Sequence, residues 1–177
     1  MQLRALQPRS KGFSLAEALV VVAIMLVLAA IAVTHLLRAR MKANESAAVA
    51  NMRTINTAES MYFNTYPDAG FADNLAKLGS NGSDCQNPGK TNSCLIADET
   101  LTSGLKGGYI FDLLGDGQLP SQAYTLTALP ASKGTSGSCS FSSNQTGVIS
   151  AQSSGPVGRF SLATSTCDQP GSVAPSP

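Results

Sequence analysis

Residues 18–33 form an unbroken run of 16 positions without a charge or a proline, and the apolar character begins already at Phe13. As an α-helix, 13–33 spans about 31 Å, the thickness of a bilayer's hydrocarbon core. Glu17 is the one acid inside that span. A carboxylate at membrane depth costs roughly 2.5–3.5 kcal/mol on insertion scales, which marks Glu17 as a functional candidate. Upstream, residues 1–12 carry Arg4, Arg9 and Lys11 and no acid, so the basic end is expected on the cytoplasmic side. Downstream the pattern changes period. Leu37, Met41, Ala48, Met52, Ile55, Ala58 and Tyr62 recur at spacings of three, four and seven and form one apolar stripe. Arg40, Glu45, Arg53 and several Asn and Thr are expected on the opposite face. No Gly or Pro interrupts 13–66, and Pro67-Asp68-Ala69-Gly70 is a strong stop. The prediction is one helix of about 54 residues, roughly 80 Å long. Its second half is expected to pack on the chain's own sheet. Asn44 and Asn51 punctuate the stripe and argue against a paired coiled coil.

Residues 67–107 read as an irregular connection with a short helix at 72–78. Strands are expected at 109–114, 123–128, 139–142 and 147–151, rich in β-branched and aromatic residues. Gly115-Asp116-Gly117-Gln118 is a hairpin signal between the first two. The expected fold class is α+β: a long N-terminal helix, membrane-spanning in its first half, against a C-terminal antiparallel sheet head at 108–177. Tyr62, Phe63, Tyr66 and Phe71 gather at the end of the helix, where packing under the head is the expected role rather than electron transport. Asp112 and Asp116 suggest a calcium reading, but two acids with no third nearby fit a plain turn better.

Composition explains what kind of chain this is. Of 177 residues, 43% are hydrophobic but only 13% charged, and mean hydropathy is +0.06; about a quarter charged is usual for soluble domains. The long apolar run dilutes the charge, and so does 133–177, a Ser/Gly/Thr-rich stretch whose only charges are Lys133, Arg159 and Asp168. Net charge of +1 excludes a strongly basic nucleic-acid binder, and beyond Pro67 there are five basic residues against eight acids, so no nucleic-acid partner is expected. With a single histidine, His35, a His-based metal or triad site lacks a second member. No enzyme activity, metal or cofactor is expected. Four cysteines allow three pairings. With the head outside the cytoplasm, the favoured bridges are Cys85–Cys94, closing a turn-rich loop, and Cys139–Cys167, pinning the tail to the sheet. No Cys-x-x-Cys spacing supports zinc.

Two plain accounts of the N-terminus compete. Ala30-Ile31-Ala32 has the look of a signal-peptidase site, yet helix-forming residues run on through Thr34-His35-Leu36-Leu37 without a break. The other account is a simple anchor with Glu17 at the interface. Arg38, Arg40 and Lys42 close the span as a solvated collar or as contacts to headgroups and neighbouring chains.

Lys11-Gly12-Phe13-Ser14-Leu15-Ala16-Glu17, running into Ala18-Leu19-Val20-Val21-Val22-Ala23-Ile24, resembles the prepilin signature of type IV pilins and pseudopilins. The resemblance covers about 11–67 closely. It implies that 1–12 is a leader, and that a prepilin peptidase cuts between Gly12 and Phe13 and N-methylates Phe13. It implies a single-pass inner-membrane precursor with its N-terminus cytoplasmic, in contact with membrane lipid. An inner-membrane assembly platform then draws that precursor into a pilus or periplasmic pseudopilus of identical subunits. Where the family often has a helix-loosening proline, this chain has Thr34. In a filament, Glu17 would meet the Phe13 α-amine of a neighbour, an opposite charge that offsets desolvation and serves as a register device. The reading is a type IV pilus subunit. A type II secretion pseudopilin is the alternative, and a secreted or membrane-anchored binding protein the second alternative. Loss of the leader removes three basic residues; the nine remaining then face eleven acids, a side-chain net of −2.

Overall fold

A computed structural model describes residues 14–80 and 85–153. The chain divides into two compact units, Met1–Arg38 and Ala39–Pro177. Helix α1 runs over Leu15–Thr65 and contributes to both. The absence of Gly and Pro lets it continue through Thr34, whose hydroxyl donates to the Ile31 carbonyl (2.9 Å). It stops at Pro67, which cannot supply an N–H to the last turn.

In the second unit, a five-stranded sheet is built from β1 (Leu105–Lys106), β2 (Tyr109–Gly115), β3 (Tyr124–Pro130), β4 (Cys139–Asn144) and β5 (Ser150–Ser153). The order is β1-β2-β3-β4-β5 with every pair antiparallel, a meander. Side chains alternate across the pleat, so Tyr109, Phe111 and Leu113 of β2, Tyr124, Leu126 and Ala128 of β3, and Cys139 and Phe141 of β4 are buried. They share one core with Ala48, Met52, Ile55, Ala58 and Tyr62 of α1. This is the α+β arrangement expected: a long helix and an antiparallel sheet.

Several details differ from expectation, each for a local reason. A two-residue Gly107-Gly108 hairpin joins β1 to β2, with Lys106 opposite Tyr109. Both glycines have positive φ, +59° and +75°, as a type I′ turn requires; β1 was not anticipated. The β2–β3 connection is longer than a tight hairpin. Asp116 organises it, accepting from the Gln118 and Gln122 amides at 3.0 Å each. The short helix α2 is only Leu75–Leu78, because Asn74 caps it by accepting from the Lys77 amide. A further turn of helix, α3 (Glu99–Thr102), is capped by Asp98. The last strand begins at Ser150 rather than 147, since Gly147 has φ +73° and the Asn144 side chain turns the chain by accepting from Thr146.

The stripe on α1 is corrected at its N-terminal end and at one interior position. Leu37 is 51% exposed, whereas Glu45, expected on the polar face, is buried at 4% exposure. The Cys85–Cys94 bridge is present, with Cα atoms 5.8 Å apart. Cys139 is also disulfide-bonded; its expected partner, Cys167, lies outside the described residues. The aromatics at the helix end form ring contacts, Tyr62–Tyr66 at 5.0 Å, Phe63–Phe71 at 4.6 Å and Phe71–Tyr124 at 5.1 Å between centroids, and so tie α1 to the connection and to β3.

Candidate functional site

The first functional element is the N-terminal half of α1. Ser14 precedes the helix and its carbonyl accepts from the Ala18 amide at 3.1 Å. Glu17 therefore lies in the first turn, where unpaired backbone N–H groups favour an anion. All residues from Ser14 to Arg40 are exposed. None of the apolar stretch is buried, and α1 is by length and composition long and apolar enough to cross a membrane. Burying apolar surface yields about 25 cal/mol per Å², so a helix bare on all sides needs lipid or other helices around it. Glu17 has no hydrogen-bond or ion-pair partner among the described residues. Gly12 and Phe13 lie outside the described residues.

The second element is a row of polar side chains between α1 and the head, which the hydrophobic pattern did not reveal. Glu45 accepts from the Ser138 amide at 2.8 Å and from its hydroxyl at 2.7 Å, and Lys42 Nζ lies 3.4 Å from its other oxygen. Asn44 donates to the Ser136 carbonyl at 2.9 Å. Asn56 donates to Ser143 Oγ at 2.9 Å and to the Gly147 carbonyl at 3.3 Å, and its own carbonyl accepts from the Tyr124 hydroxyl at 3.1 Å. Tyr62 donates to the Lys90 carbonyl at 2.7 Å. Glu59 is fully buried; one oxygen accepts from the Ala72 amide at 2.9 Å, and the other has no partner among the described residues. These bonds fix which residue of the helix meets which strand, a specification that apolar contacts alone leave loose.

The two buried acids titrate in opposite directions. Burial raises the pKa of Glu45, but the two bonds from Ser138 and the Lys42 charge outweigh it, so the group stays below the ordinary carboxylate value. Glu59 is pushed up to about 8, chiefly by burial and further by the Asp73 charge, against the Ala72 amide. Because Glu45 is lowered in the folded state, its stabilisation is present above the ordinary value of 4.5 and is lost as pH falls through the lower folded value. Glu45→Gln is expected to lower stability at pH 7 by about 1–2 kcal/mol, replacing charge-assisted bonds with neutral ones. The deficit should shrink toward pH 3. Urea unfolding of the full chain in detergent at both values checks this.

The remaining candidates are placed as follows. Asp116 spends both oxygens on backbone amides of its own turn, and Asp112 is exposed on the outer face of β2. Cys85 and Cys94 close a loop well away in sequence from the apolar segment. Asp98 is held well below the carboxylate range by hydrogen bonds from Lys106 and Thr100, and the acids Asp68 and Asp73 pair with Lys90 and Lys77.

Residues 7–33 match the family described as the prokaryotic N-terminal methylation motif. The chain is 35% identical over 63 residues to the type IV major pilin protein PilA of Myxococcus xanthus (strain DK1622), a match covering 36% of this chain and 29% of that relative. The matched part thus spans less than a third of the curated relative's length. No solved structure matches the chain.

Proposed function

We propose, from the premise that the chain carries the N-terminal methylation motif of the type IV pilin family, that it is the structural subunit of a type IV pilus. The precursor sits in the inner membrane with its N-terminus cytoplasmic. Prepilin peptidase cuts between Gly12 and Phe13 and methylates the new amine. The assembly platform then transfers the apolar helix from lipid into the filament, where Glu17 pairs with the Phe13 amine of a neighbouring subunit. The protein is a substrate of an enzyme and carries no catalysis of its own in this reading.

The observation that carries the proposal is the N-terminal half of α1: apolar, exposed on every side, and bearing one acid in its first turn. Such a surface is satisfied equally by lipid tails and by like helices, so moving between the two environments leaves the apolar burial nearly unchanged. The acid is the exception. It is costly in lipid and gains a partner only when another subunit's amine arrives. Assembly is thereby favoured at one register.

The same motif serves type II secretion pseudopilins, and the phenotype of a deletion separates the two. Loss of surface filaments in the deletion strain, restored by the wild-type chain, supports the pilus subunit. Intact surface filaments with periplasmic proteins no longer exported would assign the chain to a pseudopilus. Intact filaments and intact export would contradict both.

A further inference from the structure

We propose that the Glu59 carboxyl is a proton-operated latch on the segment that follows α1: protonated, it holds 69–73 closed against the helix and β3, and loss of its proton lets that segment open. Glu59 is 0% exposed, one oxygen accepts from the Ala72 amide at 2.9 Å, and the other has no partner among the described residues. A neutral acid tolerates one idle oxygen, whereas a carboxylate leaves a buried charge with a single donor. Among the described residues, the groups around it supply no relief. On α1 the neighbour is Tyr62, whose hydroxyl is committed to the Lys90 carbonyl. From the connection comes Asp73, a second acid, whose own cation Lys77 is 2.9 Å from it. From β3 comes Tyr124, whose hydroxyl donates to Asn56 and whose pKa is itself raised to about 12, by burial first and then by Glu59.

The latched segment is a discrete piece of structure. Phe71 N–H donates to the Ser121 carbonyl at 3.0 Å, Ser121 N–H donates to Ala69 at 2.9 Å, and Gly70 bridges to Ser121. Ala72 is buried, and Phe71 makes a tilted ring contact with Phe63 and an edge contact with Tyr124. Opening would free these contacts together while the β2–β3–β4 ladder stays paired. With the closed-state group at about 8 and the ordinary value at 4.5, closing takes up a proton. The latch is therefore firmest below about pH 4.5, weakens as pH rises toward 8, and levels off beyond.

Amide hydrogen exchange of the full chain in detergent micelles, corrected for intrinsic chemistry, tests this. Protection of the Phe71 and Ala72 amides is expected to fall by roughly a hundredfold between pH 5 and pH 7.5 and to stay lower than that of Phe111 and Leu126 at every pH. In Glu59→Gln the pH dependence at Phe71 and Ala72 should vanish. Wild-type protection independent of pH, or equal to that of Phe111 and Leu126 throughout, would overturn the latch. If Glu59→Gln does not fold, the wild-type carboxyl carbon of Glu59 is followed by NMR: a midpoint several units above the ordinary carboxylate value supports the latch, and one at or below 5 overturns it.

Discussion

Glu17→Ala in the full chain is expected to reduce filament yield by about a hundredfold while the bond between Gly12 and Phe13 is still cut. Processing reads the leader and the junction, whereas the proposed pairing needs the carboxylate later, when a neighbour's Phe13 amine arrives. Without Glu17 that amine enters an apolar core unpaired, at a cost of roughly 2.5–3.5 kcal/mol per subunit, and each 1.4 kcal/mol is tenfold in an equilibrium constant. Glu17→Ala also makes the helix more apolar, so insertion into the membrane should be at least as good as in the wild type. Sheared filaments per cell and the mass of the membrane-held subunit are the two measurements. Filaments at wild-type yield would remove Glu17 from assembly. Unprocessed precursor would move its role to the peptidase instead.

The largest single effect on the head is expected at Gly70→Ala, a loss of about 3–5 kcal/mol. Gly70 has φ +78°, a region costly for a residue with a Cβ. An added Cβ would sit 2.0 Å from the Ser121 carbonyl oxygen and 2.4 Å from its nitrogen. Both are backbone atoms, and they already bond to Phe71 and Ala69 on either side of the glycine. Relief means pulling the connection off the β2–β3 loop, which forfeits both bonds at about 1 kcal/mol each along with the packing of Phe71. Thermal unfolding of the full chain in detergent should show a midpoint lower by about 10 °C. Gly117→Ala is a matched control. Its φ is also positive, +76°, but an added Cβ meets nothing within 4 Å, so about 1 kcal/mol is expected there.

The legible part of this chain was the part governed by periodicity and by punctuation. The unbroken apolar run, the helix end at Pro67 and the alternation at Tyr109, Phe111 and Leu113 each follow from one short-range rule. The misread part was the stripe on α1. Met41, Glu45, Ala48, Met52, Ile55, Glu59 and Tyr62 are spaced four, three, four, three, four and three, so both acids occupy inward positions of an uninterrupted repeat. A hydrophobicity rule skips Glu45 and Glu59 because it expects carboxylates outside. What overrides it is long-range: Ser138 and Ala72, 93 and 13 residues away, supply donors exactly where the acids point. The gap of seven between Met41 and Ala48 was the available signal. Strand β1 and Gly107, the first glycine of its turn, lie inside the stretch 67–107 that reads as an irregular connection. The short helix expected at 72–78 is present as Leu75–Leu78, whereas α3, capped by Asp98, is too short for any periodic pattern to register.

The account rests on a cut between Gly12 and Phe13, after which α1 begins life as a free, methylated N-terminus. Intact mass and fragment-ion sequencing of the chain purified from membranes and from sheared filaments measure this directly. The predicted result is a protein whose first residue is Phe13, heavier by one methyl group on its α-amine, in both fractions. A chain beginning at Val33, cut after Ala30-Ile31-Ala32, or one retaining Met1 in the filament fraction, would contradict it.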